Sequence, residues 1–122
     1  MKVLIVDDSA AMRASLMTHL REIQDVEVTE PAMDGVEALN FLQMSETDVI
    51  ILDVRMPKLN GLKVLEEIKK KKKTPIVIVF TNYPYPQYRE HCLAAGADYF
   101  FSKSSEFEAL FGVLTHLSSL TA

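Results

Sequence analysis

Acidic residues stand directly after two apolar segments of the sequence. Asp7 and Asp8 follow Val3–Val6, and Asp53 follows Val49–Leu52. Apolar runs that are rich in β-branched residues and show no polar alternation are typical of strands covered on both faces, as in a parallel sheet. Ligands bind to such sheets in the crevice beyond the carboxyl ends of the strands, so these acids are candidates for chemistry. A single acid at a strand end more often closes a turn, and the other strand ends therefore decide the interpretation.

Two further apolar segments end in polar residues. Ile76–Phe80 stops at Thr81, and Tyr99–Phe101 stops at Ser102 and Lys103. In an all-parallel sheet these ends share one edge, which would bring the three carboxylates, a hydroxyl and an ammonium group together. Repulsion among carboxylates is relieved by a shifted pKa or by a bound cation, and a site of oxygen ligands alone favours Mg²⁺.

A metal beside an aspartate suggests phosphate chemistry. The Asp53 carboxylate can act as a nucleophile that accepts a phosphoryl group, while the metal neutralises charge on the transferring oxygens. Lys103 and Thr81 would then contact the phosphoryl oxygens through an ammonium group and a hydroxyl group. Taken singly, Lys103 is equally well explained as a surface lysine and Thr81 as an ordinary strand-end hydroxyl.

Five apolar segments alternate with five stretches of helical spacing. The segments predicted as strands are Val3–Val6, Val26–Thr29, Val49–Leu52, Ile76–Phe80 and Tyr99–Phe101. The weakest of them, Val26–Thr29, is expected at a sheet edge, with Pro31 closing it. Alternation of strands and helices predicts parallel strands joined by right-handed crossovers in a three-layer α/β sandwich.

Capping residues mark several helix boundaries. Ser9 and Asp34 stand at N-cap positions, and Ser105 with Glu108 matches a capping box before the last helix. Gly96 is expected to end the fourth helix in a left-handed conformation. The apolar positions that mark the helices are Met12, Leu16, Leu20 and Ile23; Val36, Leu39 and Leu42; Leu62, Leu65 and Ile68; Tyr88, Cys92 and Ala95; and Phe107, Leu110, Phe111, Leu114 and Leu117.

Length and composition restrict the class of protein. The 122 residues fit one domain, and the net charge of −4 argues against a surface that neutralises nucleic-acid phosphates. The single Cys92 excludes an internal disulfide and suits a reducing compartment. No apolar run approaches the roughly 18–20 residues of a membrane helix, so we expect a cytoplasmic protein without a membrane partner. The lysines Lys69–Lys73 are expected to form a solvated helix end.

The ordered set of motifs resembles the receiver domains of bacterial two-component response regulators over essentially the whole chain, 1–122. The matching stretches are LIVDDS with Asp7 and Asp8, LDVRMPKLNG with Asp53 and Gly61, the strand that ends in Thr81, and AAGADYFFSK with Lys103. The resemblance implies a doubly wound, flavodoxin-like fold with five parallel strands in the order 2-1-3-4-5. It also implies a signalling phosphoacceptor that catalyses only its own phosphoryl transfer and dephosphorylation.

The resemblance also implies a role for each matching residue. Asp53 would accept a phosphoryl group from a histidine kinase or phosphotransfer protein. Asp8 and Asp53 would bind Mg²⁺ directly, with the backbone carbonyl of Arg55 as a third ligand and Asp7 acting through water.

Thr81 and Lys103 would hold the phosphoryl oxygens, and Phe100 matches the aromatic position that turns inward on activation. The partner would be a downstream effector or an output domain, and the state a monomer or a phosphorylation-dependent dimer.

Some positions depart from the family pattern. Ser104 stands where proline with a cis peptide is common, so we expect a trans bond there and a less rigid loop. Asn82 is larger than the usual residue after the switch threonine and could hinder access of the phosphodonor or the inward movement of Phe100. Arg55 and Tyr83 would flank the hydrolytic water without being suited to orient it, and this predicts a long-lived phosphoryl group.

Two alternative classes of function remain. A pseudo-receiver would bind its partner without phosphorylation, but such a protein would lack an acid or the lysine, and here none is missing. A flavodoxin-like cofactor binder or a small phosphohydrolase would need a phosphate-binding Gly/Ser/Thr loop after the first strand, or a D-x-D motif. Asp7 and Asp8 occupy that loop, and without a metal they would repel phosphate.

Overall fold

The chain forms one parallel sheet with helices on both faces. The structure is a computed structural model, and the residues described are 1–54, 61–82 and 85–121. In these residues the strands are β1 (Lys2–Val6), β2 (Glu27–Val28), β3 (Val49–Leu52), β4 (Ile76–Thr81) and β5 (Tyr99–Ser102). The helices are α1 (Ala10–Leu20), α2 (Gly35–Met44), α3 (Gly61–Lys69), α4 (Pro86–Ala94) and α5 (Phe107–Thr121).

The sheet has the strand order β2-β1-β3-β4-β5, and every neighbouring pair is parallel. The flavodoxin-like order predicted from the sequence is therefore confirmed. The register places Val6 opposite Leu52 and Leu52 opposite Val79. The last residues of β1 and β3 thus lie side by side, and so do the groups that follow them.

Alternate residues of β1, β3, β4 and β5 enter two separate core layers. One face of the sheet packs against α2, α3 and α4, and its buried residues include Val6, Leu52, Val79 and Phe100. The other face packs against α1 and α5 through residues such as Ile5, Ile51, Phe80 and Leu114. Burial on both faces explains why the central strands lack polar alternation. The predicted three-layer sandwich is confirmed.

The helix ends agree with the sequence at three positions. The Ser9 hydroxyl accepts a hydrogen bond from the Met12 N–H at 3.2 Å, and the Asp34 carboxylate accepts one from the Glu37 N–H at 2.9 Å. Gly96 has a φ of 107°, a left-handed conformation that favours glycine. All three capping residues were predicted.

The predicted capping box at Ser105 is wrong. Helix α5 begins at Phe107, and its first intrahelical bond runs from the Leu110 N–H to the Glu106 carbonyl, so Glu106 is the capping residue. Two smaller differences concern the length of β2 and the buried face of α2. Strand β2 is shorter than predicted. In α2, Val36 is 45% exposed, so that helix packs on the core through its other apolar positions.

The five lysines after α3 are only partly solvated. Lys70 and Lys73 are exposed, as predicted. The Lys69 ammonium lies 3.1 Å from the Asp98 carboxylate, and Lys71 donates a hydrogen bond to the Leu42 carbonyl. The expectation of a solvated end is therefore wrong for Lys69 and Lys71, which tie α3 to neighbouring elements.

None of the helices within residues 1–54, 61–82 and 85–121 combines the length and the apolar character needed to cross a bilayer.

Cys92 is predicted to resist thiol reagents in the folded protein. The side chain is 1% exposed, and burial raises the pKa of its thiol to about 11. Because the thiolate is the reactive form, labelling near pH 8 should be slower than for an exposed cysteine by about 100-fold or more. Labelling with a chromogenic disulfide reagent, in buffer and in denaturant, measures the difference. Rapid stoichiometric labelling of the native protein would contradict this.

Candidate functional site

Three carboxylates converge at the carboxyl edge of the sheet. Asp7 follows β1 and Asp53 follows β3, and the Asp53 N–H donates to the Val6 carbonyl at 2.9 Å, which keeps the two strand exits together. One carboxylate oxygen from each of Asp7, Asp8 and Asp53 lies within 4.8 Å of the other two. Asp7 and Asp53 are 2% and 6% exposed, whereas Asp8 faces solvent. The sequence predicted that these residues would meet, and the structure places them together.

The loop that carries the first two acids is held by two hydrogen bonds to Asp7. The Ser9 N–H donates to the Asp7 carboxylate at 2.9 Å, and the Arg13 guanidinium donates to the Asp7 carbonyl at 2.7 Å. Arg13 was not identified from the sequence. Its position four residues after the N-cap Ser9 is the signal that places it one helical turn from the loop.

Lys103 links two of the carboxylates. Its ammonium nitrogen lies 2.6 Å from Asp7 Oδ2 and 2.8 Å from Asp53 Oδ2, and the side chain is 4% exposed. The Lys103 N–H donates to the Thr81 carbonyl at 2.9 Å, which joins the end of β5 to the end of β4. Lys103, which follows β5, therefore contacts the acids that follow β1 and β3.

Burial and pairing act against each other in this cluster. Burial raises the pKa of the Asp7 carboxyl, although bonds from Lys103 and Ser9 oppose the shift. Burial would lower the pKa of Lys103, but hydrogen bonds to Asp53 and Asp7 outweigh it and the pKa is raised. Lys103 stays charged at neutral pH as a result. Three carboxylates still face one ammonium group, and this excess of negative charge attracts a cation.

The donor set fits a hard divalent cation. The clustered ligand atoms are all carboxylate oxygens, and Asp8 presents its carboxylate to solvent. Oxygen ligands with room for water suit Mg²⁺, which keeps several waters in its coordination shell. The backbone carbonyl of Arg55, predicted as a further ligand, lies outside the described residues.

The predicted switch residues are both buried. Thr81 is the last residue of β4 and lies opposite Ser102 of β5. Phe100 is 4% exposed and packs in the core layer under α4. The Arg89 guanidinium lies 5.8 Å from the centre of the Phe100 ring and donates a 3.4 Å hydrogen bond to its carbonyl. This contact between α4 and β5 was not foreseen from the sequence.

The two remaining predictions concern the loops. The peptide between Lys103 and Ser104 is trans, as expected from the absence of proline. Tyr83, like Arg55, lies outside the described residues, so the prediction of a long-lived phosphoryl group stays a prediction.

Asp8→Ala is predicted to weaken Mg²⁺ binding by at least about tenfold, because the change removes one of the three clustered carboxylates. Titration calorimetry is the suitable measurement, since the chain has no tryptophan. Glu22→Ala removes an exposed acid just past the far end of α1 and should bind Mg²⁺ as the wild type does. Equal affinities for wild type and Asp8→Ala would exclude the carboxylate cluster as the metal site.

Comparisons with known proteins give one consistent family. The family model of the response regulator receiver domain matches residues 3–115. Over 104 residues, which are 84% of this chain and 30% of the relative, the chain is 36% identical to a protein-glutamate methylesterase/protein-glutamine glutaminase from Clostridium acetobutylicum. The chain spans between 21% and 30% of the length of the curated relatives that it matches.

Two solved structures from Thermotoga maritima are similar over nearly their full length. The response regulator domain of CheB is 32% identical with a TM-score of 0.84, and the match covers 98% of this chain and 94% of that one. The response regulator TrrA, solved in complex with Mg²⁺-BeF, is 35% identical with a TM-score of 0.82 and coverages of 95% and 97%. With the family match and the convergent strand ends, these similarities show that the chain belongs to the response regulator receiver domains.

Proposed function

We propose that Asp53 accepts a phosphoryl group from a histidine kinase or phosphotransfer protein. The supporting observation is the position of its carboxylate at the end of the central strand, 2.8 Å from the Lys103 ammonium group and within the carboxylate cluster. A nucleophilic carboxylate needs nearby positive charge to receive a phosphoryl group, and Lys103 carries that charge into the site.

Mg²⁺ is the proposed cofactor. Asp8 and Asp53 would bind it directly, with the Arg55 carbonyl as third ligand and Asp7 acting through water. When bound, the cation would neutralise charge on the transferring oxygens. The solved TrrA complex contains Mg²⁺-BeF, which supports a divalent cation in this family.

The chain's own residues have separate tasks in this proposal. Lys103 is close enough to Asp53 to pair with an oxygen of a phosphoryl group attached there. The Thr81 hydroxyl would donate to a second oxygen, and its movement toward the phosphoryl group would couple to Phe100, which lies on the neighbouring strand. Because Phe100 has no hydroxyl, the coupling would act through packing.

The proposed signal is a change in partner binding. The proposed partner is a downstream effector protein or an output domain. We propose that residues 1–122 form one cytoplasmic receiver domain, which is a monomer or becomes a dimer on phosphorylation. The domain would make no contacts of its own with nucleic acid or a membrane. The chain would act as a signalling phosphoacceptor whose only catalysis is its own phosphoryl transfer and dephosphorylation. Arg55 and Tyr83 are proposed to slow that dephosphorylation.

Intact-protein mass spectrometry after incubation with acetyl phosphate tests the function. One phosphoryl adduct is expected with Mg²⁺, and little or none when EDTA replaces it. Peptide mapping should locate the adduct on the segment that contains Asp53. No adduct with either acetyl phosphate or a histidine kinase preparation would favour the pseudo-receiver, which binds its partner without phosphorylation.

A further inference from the structure

The connection between β5 and α5 is closed by two hydrogen bonds, one between backbone groups and one to the Glu106 carboxylate. Glu106 and Ser102 bond reciprocally, since the Glu106 N–H donates to the Ser102 carbonyl at 2.9 Å and the Ser102 N–H donates to Glu106 Oε1 at 3.0 Å. The connection contains no proline that would restrict its backbone. These two bonds close a ring of backbone and side-chain atoms around residues 102–106.

Two serines inside this ring reinforce it. The hydroxyl groups of Ser102 and Ser104 lie 2.9 Å apart, and the Ser104 N–H is 3.3 Å from the Ser102 hydroxyl oxygen. Ser102 is buried, so its polar groups need partners within the protein. Without the Glu106 carboxylate, the Ser102 N–H would lose the partner that the structure gives it.

Lys103 lies within the ring. Its backbone N–H is bonded to the Thr81 carbonyl, and its ammonium group reaches Asp7 and Asp53 at the ends of two other strands. A lysine side chain has four rotatable bonds, and its ammonium group can hold a fixed place between two acids only if its backbone is held. The bonds between Glu106 and Ser102 restrain the backbone of Lys103 on the side that leads to α5.

We propose that Glu106 is a positioning residue for phosphoryl transfer, which acts by holding Lys103 between Asp7 and Asp53. Its side chain fixes the Ser102–Glu106 ring, and the ring fixes the backbone from which Lys103 extends. This inference rests on the proposed function of Asp53. Its effect on Mg²⁺ binding, however, can be measured without any phosphorylation.

Glu106→Ala is expected to change two quantities in opposite directions. The maximal rate of phosphorylation by acetyl phosphate should fall about tenfold with little change in the half-saturating donor concentration, because a misplaced Lys103 affects the transition state more than donor binding. Mg²⁺ affinity should rise about twofold to threefold, because a loosened ammonium group competes less for Asp7 and Asp53. General loss of folding would lower both.

Three matched variants separate the carboxylate contact from charge and helix effects. Glu106→Gln keeps an oxygen that can accept from the Ser102 N–H and should restore most of the rate. Glu106→Asp keeps the charge and a favourable capping residue but shortens the side chain, so it should lower the rate while the protein stays folded. Glu108→Ala removes an exposed acid from the first turn of α5 and should behave as wild type.

A double-mutant cycle tests whether Glu106 acts through Lys103. Lys103→Met alone should raise Mg²⁺ affinity, and adding Glu106→Ala to it should cause no further change. An equal effect of Glu106→Ala in both backgrounds would overturn the inference, as would wild-type rate and Mg²⁺ affinity in Glu106→Ala and Glu106→Asp. If the wild type forms no adduct, the proposed function fails, and the calorimetric cycle still decides the role of Glu106.

Discussion

Asp53→Asn is expected to abolish formation of the phosphoryl adduct, with a residual rate at least about 100-fold below that of the wild type. The amide keeps the size of the side chain and an oxygen that can accept from Lys103, but it is a poor nucleophile. The measurement is the time course of the adduct by mass spectrometry at saturating acetyl phosphate and Mg²⁺. The effect should exceed that of any change at Thr81 or Lys103, because in the proposed function those residues would assist transfer without forming the new bond.

Asp25→Asn is the matched control for this substitution. Asp25 is exposed and has a φ of 66°, a left-handed conformation that asparagine tolerates well. The same chemical change there should leave the adduct unaffected. An adduct that forms on Asp53→Asn at the wild-type rate would mean that another side chain is the phosphoacceptor.

Gly61→Ala is expected to destabilise the protein by about 3 kcal/mol or more through overpacking. A Cβ atom at Gly61 would lie 2.2 Å from Val54 Cα and 2.7 Å from the Asp53 carbonyl oxygen. Both neighbours are backbone atoms, so no side-chain rotation can relieve the clash. Either α3 or the chain leaving β3 has to move, and the second movement would displace Asp53. Urea unfolding followed by circular dichroism measures the free energy of unfolding.

Gly112→Ala provides the opposite case within the same chain. Gly112 lies in α5, and an added Cβ there would meet no atom within 4 Å. Replacing a helical glycine by alanine removes conformational freedom from the unfolded chain, so we expect stabilisation by about 0.5–1 kcal/mol. Similar unfolding free energies for Gly61→Ala and the wild type would show that the backbone near Asp53 yields easily, contrary to the close packing described.

The sequence by itself determined the architecture and which charged groups meet at the carboxyl edge of the sheet. Strands such as Val49–Leu52 are apolar at every position, and only a sheet covered on both faces buries both sets of side chains. Parallel strands then place Asp7, Asp53 and Lys103 at one edge whatever the details of packing. Caps such as Ser9 were also predictable, because capping depends on groups three residues apart.

Only the tertiary structure decided which of these groups pair. Lys103 and Asp53 are 50 residues apart in the chain, and their contact depends on the register of two strand pairs and on burial of the lysine side chain. The shift of the last helix cap from Ser105 to Glu106 has a similar origin. The local pattern favours Ser105 as the cap. The Glu106 carboxylate, however, accepts a hydrogen bond from the N–H of buried Ser102. Leaving that buried N–H without a partner would cost more free energy than losing the cap from an exposed serine hydroxyl.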